Sequence, residues 1–580
     1  MEKQELVRRI KEYCRREEDP RFVKEIEELV REEAWDDLSD RFYRDLDFGT
    51  GGLRGVIGGG TNRMNPLTIR KASSGLARYV LDHGATNPKA VIAYDSRRYS
   101  ELFAEETALT FCALGIRTYL FSAPRPTPML SWAVRFLHCD TGVVVTASHN
   151  PPEYNGYKVY WNDGCQIVSP HDQGIIKEVR QVSGELPKMS KKEALEKGLL
   201  NLIDRTVDDP YFAMLKTYIT RPEVIAAESS SVRIVYTPLH GTGAYPVERV
   251  FRELGIEILT VPEQREPDGD FPTVKYPNPE EASAMEMAVE LGRKEKADLV
   301  MGTDPDADRF GIAVPHQGDF VLITGNQLGS LLCDYILRTK VEQGNMPKNP
   351  AVVKTIVTTE LQRLIAESYG ARCVDVLTGF KYIGEKMNQF EKSGDSYVFG
   401  GEESYGFLVE TEIRDKDAVS AALMTAEMTL WNRSRNKSLL DHLYELYRKH
   451  GCFKEVLISK TFKGQKGLED MKTLMEGLRK TPPESFGPQA VKVVRDYLHR
   501  KAWNTASGDQ RDIDLPASDV LQFVLDNQAV VTVRPSGTEP KVKFYASCRT
   551  EPGLDPKEGL SKVSEMMEGI IQGLTALVPE

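Results

Sequence analysis

The chain is expected to be a multidomain α/β protein that ends in a small α+β domain. Three features predict it. The first is length: 580 residues exceed what one hydrophobic core organises, and at roughly 150 residues per domain they suggest about four domains. The second is a unit that recurs from about residue 40 onward, an apolar run of three to six residues that stops at a polar, Gly-rich turn and gives way to a helical stretch. The third is the close of the chain, where strand patterns at 519–525, 529–534 and 541–548 precede a helical pattern at 556–574.

Taken in order, residues 3–17 and 21–34 read as two charged amphipathic helices. They are separated by Asp19-Pro20, with Asp19 placed to cap the second. They make residues 1–39 an N-terminal helical appendage. The strand-and-loop units then follow. Ala90–Tyr94 runs into Asp95-Ser-Arg-Arg98, Gly142–Val145 into Thr146-Ala-Ser-His-Asn150, and Val232–Tyr236 into Thr237-Pro-Leu-His-Gly-Thr-Gly243. Asp298–Met301 runs into Gly302-Thr-Asp-Pro-Asp-Ala-Asp308, and Tyr397–Phe399 into Gly400-Gly-Glu-Glu-Ser-Tyr-Gly406. Helical stretches such as 101–114, 280–294 and 418–433 lie between them. Composition places breaks near 222, 340 and 450. The expected α/β domains are 40–222, 223–340 and 341–450, followed by a charged, mixed helical linker or insert at 451–515 and the α+β domain at 516–580. In open α/β sheets ligands gather at the carboxyl ends of strands, where each of these loops falls.

Charge and composition exclude several classes. A net charge of −11 argues against a general nucleic-acid binder. It leaves room for a phosphorylated small molecule, which responds to a few local cations within a screening length of about 8–10 Å. No segment supplies the run of about 18 apolar residues that a membrane span needs, and Met1-Glu-Lys-Gln-Glu5 has no apolar signal region. The eight cysteines are scattered singly without a CxxC pair, which suits reduced thiols in a cytoplasmic protein.

Four loops carry chemistry. Asp304-Pro-Asp-Ala-Asp308 sets three carboxylates at alternate positions, a donor set for a hard cation such as Mg²⁺. An EF-hand is excluded because Arg309 stands where that loop needs Gly and Pro315 where it needs Glu. An acidic solvated turn stays open on this loop alone, although Arg309 beside it suits a phosphate ligand. Thr146-Ala-Ser-His-Asn-Pro151 exposes Ser148 on a tight turn beside His149, with Lys158 shortly after. A serine becomes a nucleophile when a base, metal or charge activates it, and a structural Asn-Pro turn is the competing reading. There is no G-x-S-x-G elbow. Arg534-Pro-Ser-Gly-Thr-Glu-Pro540 offers a guanidinium fork, the hydroxyls of Ser536 and Thr538 and the Gly537 backbone to a phosphate, or it is an ordinary hairpin. Gly400-Gly-Glu-Glu-Ser-Tyr-Gly406 brings Glu402 and Ser404 to a turn that suits vicinal sugar hydroxyls, or is merely charged.

Together these loops resemble the α-D-phosphohexomutase family, the phosphoglucomutases and phosphomannomutases, in content and in order: TASHNP, DPDADR, GEESYG, RPSGTEP. The resemblance extends to Thr50-Gly-Gly-Leu-Arg-Gly55, to Leu377-Thr-Gly379 and to Arg414-Asp-Lys-Asp417, and spans roughly residues 40 to 550. It implies three α/β domains with mixed sheets and a small α+β domain around a central cleft. It further implies a phosphorylated Ser148 whose phosphate joins Asp304, Asp306 and Asp308 around Mg²⁺. Arg54 and Arg309 would assist the reacting phosphate, and Thr378, Gly379 and Lys416 would bind the sugar phosphate. Glu402 and Ser404 would hold sugar hydroxyls. Arg534, Ser536, Gly537 and Thr538 would dock the phosphate that is not transferred.

The implied reaction moves a phosphoryl group from Ser148 to a hexose monophosphate, forms a hexose 1,6-bisphosphate that turns over in the cleft, and returns the other phosphate to Ser148. Glucose 1,6-bisphosphate would serve as intermediate and activator. Lys158, ahead of His149, is the expected proton carrier, on the expectation that neighbouring cations lower its pKa. GEESYG looks like the glucose-type loop rather than the GEMSGH type of dual glucose and mannose enzymes, so glucose 1-phosphate and glucose 6-phosphate are the expected substrates. Phosphomannomutase and phosphopentomutase activities remain alternatives, the latter because Ser404-Tyr405 also fits a pentose-phosphate group. A phosphoserine-dependent sugar phosphatase is disfavoured by the Arg534 loop. A non-catalytic sensor is disfavoured by a nucleophile lying beside a metal loop.

Overall fold

The computed structural model describes residues 2–83, 86–462, 464–535 and 541–577. The chain forms two compact units, Met1–Leu328 with Phe380–Asn436, and Gly329–Gly379 with Lys437–Glu580.

The first unit opens with three helices rather than the expected two: α1 (Lys3–Arg16), α2 (Pro20–Arg31) and α3 (Trp35–Phe42). Asp19 caps α2 by accepting the Arg21 N–H at 3.0 Å, and Pro20 supplies the fixed φ of a first helical residue. Glu33 takes a left-handed φ of 56° just past α2, and Asp36 and Asp37 favour the positive end of α3. Leu6, Ile10, Tyr13, Ile26, Leu38 and Phe42 form the core of this appendage.

A six-stranded sheet follows, made of β1 (Gly52–Val56), β2 (Lys89–Tyr94), β3 (Arg117–Phe121), β4 (Thr141–Val145), β5 (Tyr154–Trp161) and β6 (Leu200–Ile203). Its order is β1-β5-β4-β2-β3-β6, with β4, β2, β3 and β6 parallel and β5 and β1 antiparallel. Both faces are covered. Ile92 and Val143 pack on the side of α4 (Pro66–Asp82), and Val91 and Val144 pack on the other. Two-sided burial explains why β4 reads as an unbroken apolar run.

The second sheet contains β7 (Ile234–Thr237), β8 (Ile258–Thr260), β9 (Leu299–Thr303), β10 (Phe310–His316) and β11 (Asp319–Ile323), in the order β11-β10-β9-β7-β8. It repeats the mixed pattern, with β9, β7 and β8 parallel and β10 and β11 antiparallel. The chain then enters the second unit with the parallel pair β12 (Pro350–Thr355) and β13 (Arg372–Val376). It returns to the first unit with the short antiparallel hairpin β14 (Ser396–Gly401) and β15 (Phe407–Leu408) and the buried helix Ala418–Ser434.

The second unit closes on an antiparallel sheet. Its strands are β16 (Phe453–Thr461), β17 (Ser485–Phe486), β18 (Gln489–Asp496), β19 (Lys501–Asn504), β20 (Gln510–Asp512), β21 (Leu521–Leu525), β22 (Val530–Pro535) and β23 (Lys541–Arg549). The order is β16-β23-β22-β21-β18-β19-β20, with β17 paired to β18. Residues 451–515 therefore differ from the expected linker, because they supply β16 to β20 and the helix Gly464–Lys480. The charge that hid them is a solvent face. In β18 the buried Val491, Val494 and Asp496 are interleaved with exposed or half-buried Lys492 and Arg495, and a bulge near Val491 breaks the alternation. All eight cysteines are free and seven are buried, so they pack as small hydrophobes.

Candidate active site

Within the first unit the loops that leave β4 and β9 meet. Ser148 follows the buried strand β4 with a left-handed φ of 53° and is 4% exposed. Its amide donates to Thr146 Oγ1 at 2.8 Å, a short turn that lifts the hydroxyl off the strand end. The Ser148 Oγ donates to Asp304 Oδ2 at 2.7 Å and lies 3.1 Å from His149 Nδ1.

Asp304, Asp306 and Asp308 are buried after β9, with one carboxylate oxygen from each within 4.8 Å of the others. Asp304 Oδ1 accepts the amides of Asp308 and Arg309 at 3.0 and 2.9 Å, and Ala307, with a φ of 46°, turns the loop back. Asp306 Oδ2 accepts from Thr127 Oγ1 and from Lys158 Nζ, each at 2.8 Å. Asp308 Oδ2 lies 3.3 Å from Lys158 Nζ and 3.1 Å from Lys416 Nζ. The second oxygens of Asp306 and Asp308 are buried without a hydrogen-bond partner. Three converging carboxylates with two orphaned buried oxygens fit a hard divalent cation, and Asp304, Asp306 and Asp308 are the residues that would hold it.

The electrostatics follow from this crowding. Burial, with the charges of Asp306 and Asp308, pushes the Asp304 carboxyl well above its usual range. Burial acts the same way on Asp306, but the Lys158 ammonium outweighs it and holds that carboxyl low. Burial, reinforced by Arg309 and Arg54, pushes His149 well below its ordinary value, so its imidazole is neutral at pH 7. The expectation for Lys158 is corrected. Burial alone would lower its pKa, but the groups facing it are the carboxylates of Asp306 and Asp308, and they raise it. Lys416 is raised for the same reason by Asp308 and Asp415 despite its burial.

The loop of β14 and β15 joins this cluster. Arg309 donates to the Ser404 carbonyl at 3.0 Å and pairs with Glu280 at 2.5 Å, and the Phe310 amide donates to the Tyr405 carbonyl at 2.9 Å. Glu402 and Lys416 flank Gly406, where a Cβ would come within 2.2 Å of the Lys416 side chain. Arg54 lies on β1 opposite Gly156, exposed, and its charge reaches His149. Thr378 and Gly379 follow β13 in the second unit, Gly379 with a φ of 118°. Arg534 lies one residue before the end of β22 there, half-buried and opposite Lys543. Ser536, Gly537 and Thr538 lie outside the described residues.

Sequence reasoning missed the residues that hold these loops. Arg97, whose side chain is fully buried beside Asp95 at 3.4 Å, donates to the carbonyls of Ser148 at 2.5 and 3.2 Å, of Pro151 at 2.8 Å and of Tyr154 at 3.0 Å, and also to that of Asn150. One guanidinium thus gathers the whole Ser148 turn. Tyr160, two residues beyond Lys158 on β5, donates to Asp415 Oδ2 at 2.5 Å, and Asp415 Oδ1 lies 3.1 Å from Lys416 Nζ. The signal for Arg97 was its place in Asp95-Ser-Arg-Arg98 at the end of β2. Its carbonyl partners have no signature in sequence.

A hydroxyl hydrogen-bonded to a carboxylate cage, with two ammonium groups and a guanidinium around it, has the parts of a metal-assisted phosphoryl-transfer centre. The comparisons agree. Residues 45–185, 209–318 and 324–450 match the models for "Phosphoglucomutase/phosphomannomutase, alpha/beta/alpha" domains I, II and III. A phosphoglucomutase of Staphylococcus aureus (strain MRSA252) is 34% identical over 521 residues, covering 89% of this chain and 92% of that one. A phosphopentomutase of Homo sapiens is 33% identical over 570 residues, covering 94% and 92%. Among solved structures, a putative phosphomannomutase from Thermus thermophilus superposes with a TM-score of 0.65 at 23% identity, covering 90% of this chain and 99% of that one. The open form of the Paramecium phosphoglucomutase parafusin superposes with a TM-score of 0.68 at 15% identity, covering 92% and 95%. The chain belongs to the phosphoglucomutase/phosphomannomutase family, the phosphohexomutases, which isomerise sugar phosphates by phosphoryl transfer.

Proposed function

We propose that the chain interconverts glucose 1-phosphate and glucose 6-phosphate, carrying the transferred phosphoryl group on Ser148. The observation that carries this is the 2.7 Å contact of Ser148 Oγ with Asp304 inside the carboxylate cage. In the forward half-reaction the Oγ–P bond of phosphorylated Ser148 breaks as the free sugar hydroxyl bonds to phosphorus. The hydroxyl proton leaves to a neutral base, and the leaving Ser148 Oγ takes a proton back from that base, His149 Nδ1 lying 3.1 Å from it. His149, uncharged and in contact with Ser148, is suited to accept it, while Lys158 stays an ammonium that balances the cage. A Mg²⁺ held by Asp304, Asp306 and Asp308 would supply positive charge to the phosphoryl oxygens. Arg309 and Lys416 orient the oxygens of substrate and phosphate, and Glu402 and Ser404 hold sugar hydroxyls. Thr378 and Gly379 bind the sugar phosphate. Arg534, with Ser536, Gly537 and Thr538, docks the phosphate that is not transferred, in either orientation of glucose 1,6-bisphosphate.

The domain limits follow the same reading, with α/β domains at 40–222, 223–340 and 341–450. Eight free cysteines support a cytoplasmic setting. No helix among the described residues is long and apolar enough to cross a membrane.

A second reading, phosphopentomutase, is favoured by one observation, the human relative of that name at 33% identity over nearly the whole chain. Turnover of glucose, mannose and ribose 1-phosphates under one set of conditions separates the readings. A kcat/KM for glucose 1-phosphate above the other two supports the first, and a ribose preference replaces it. Inorganic phosphate released in step with sugar consumption would point to a phosphatase instead.

A further inference from the structure

We propose that a cavity of about 410 Å³ between α1 and the first sheet binds a phosphorylated small molecule at a place separate from the Ser148 site. Ligand pockets run from about 300 to about 1,000 Å³, so the volume suits one small metabolite. The cavity is walled by α1, by the segment entering β1, by α4 and by the helix His171–Gln181. Its floor is apolar, made of Leu46, Phe48 and Leu53. Its walls carry five basic side chains against three carboxylates, a local excess of positive charge on a chain whose net charge is −11.

The present acidic partners of three of those cations are replaceable. Lys71 of α4 lies 2.6 Å from Asp45 and Arg9 of α1 lies 3.6 Å from the same carboxylate, which is half exposed. Arg180 lies 3.3 Å from Asp47, and both are largely exposed. Pairs of this kind contribute little to stability. A phosphate, with more charge and three acceptor oxygens, competes well for them. The combination of a cationic wall and an apolar floor selects a phosphate ester with an apolar or aromatic part over a bare anion.

The floor also backs onto the catalytic strand. Phe48 packs edge-on against Tyr157 with ring centroids 6.5 Å apart, and Leu53 is opposite Tyr157 in the β1–β5 register. The residue after Tyr157 is Lys158, whose ammonium holds Asp306 and Asp308. There is no slack between the strands, since a Cβ on Gly52 would fall 1.8 Å from the Tyr157 carbonyl. A molecule resting on Phe48 and Leu53 therefore bears on the strand that sets Lys158, and its occupancy is expected to be felt in turnover.

The test is calorimetric titration of the full chain with ADP, a phosphate ester bearing an aromatic ring, in saturating glucose 6-phosphate so that the Ser148 site is filled. The expected result is one ADP per chain, binding more tightly than inorganic phosphate. Affinity should fall about tenfold or more in Lys71→Glu, since reversing one wall charge removes an attraction and adds a repulsion. Arg180→Glu, on the opposite wall and more exposed, should give the same loss should Lys71→Glu fold poorly. Without ADP both variants should turn over glucose 1-phosphate like the parent. With ADP the parent's KM should shift by about fivefold or more, and the variants' should not. No ADP heat in the parent, an affinity equal to that of inorganic phosphate, or an affinity unchanged in both variants would overturn the assignment. An unmoved KM would overturn the coupling. Binding heat does not depend on catalysis, so these failures are distinguishable from failure of the mutase reading.

Discussion

Replacing Arg97 by Met should cost the enzyme about a hundredfold in turnover with little change in KM. The side chains of Arg97 and Asp95 are both fully buried, and the guanidinium serves the carbonyls of Ser148, Asn150, Pro151 and Tyr154. Removing one partner of a buried ion pair costs about 3–5 kcal/mol, because the other charge is stranded. The Ser148 turn also holds a left-handed residue, a conformation that costs of order 1–3 kcal/mol and persists only where its surroundings impose it. Freed from Arg97, the turn should relax and carry Ser148 Oγ away from its 2.7 Å contact with Asp304. A displacement of about 1 Å at a reacting atom is worth about 10²-fold, or about 2.7 kcal/mol of barrier. Arg97→Lys keeps the charge but not the fork, and should fall between parent and Met variant. The assay couples glucose 6-phosphate formation to a dehydrogenase over a glucose 1-phosphate range, beside a thermal melt that reports whether the first unit still folds. Parent-like turnover in a folded Arg97→Met chain would refute the idea that this guanidinium positions Ser148.

Three further outcomes follow from the same geometry. Mg²⁺ should raise the melting temperature of the parent, by the equivalent of about 2.7 kcal/mol at a hundredfold excess over its Kd, and should do so far less in Asp306→Asn or Asp308→Asn; equal shifts in all three would remove those carboxylates from the metal site. His149→Ala should lower kcat by about 10²-fold or more, measured in the same coupled assay, and parent-like turnover in both His149→Ala and Lys158→Ala would leave the proton transfer without either carrier. Glu455, half-buried on β16 with its Oε1 enclosed and near the hydroxyls of Thr359 and Ser547, is pushed up to about 7 by burial of the carboxylate. The folded state keeps a proton there that the unfolded chain has lost, so stability should be highest below the ordinary glutamate range and fall as pH rises toward 7. Melts across that range should show the slope in the parent and a flatter profile in Glu455→Gln.

What the sequence revealed and what it hid divide along physical lines. Ser148 and the three aspartates were legible because each sits on a contiguous loop, and the alternate spacing of Asp304, Asp306 and Asp308 brings donor atoms together whatever surrounds them. The strands before those loops were legible as unbroken apolar runs, since β4 and β9 are buried on both faces. Arg97 was not legible as a site residue, because it grips main-chain carbonyls more than fifty positions away and any residue type can present a carbonyl. The setting of Lys158 was misread for a related reason: its neighbours are set by the approach of β9's loop to β5, which local sequence does not specify, and they proved to be carboxylates. The strands of residues 485–512 were hidden because they are short and carry charge on a wet face, as Lys492 and Arg495 do in β18, and the bulge near Val491 breaks the alternation that would mark a strand.

The most direct test of the central claim is a phosphopeptide map of the purified chain after incubation with glucose 1,6-bisphosphate, and again after excess glucose 1-phosphate. A single phosphoryl group is expected on Ser148, gained in the first step, passed to sugar in the second, and absent throughout in Ser148→Ala. A chain that isomerises glucose phosphates with Ser148 unmodified under all of these conditions, or that carries the phosphate on another residue, would contradict it.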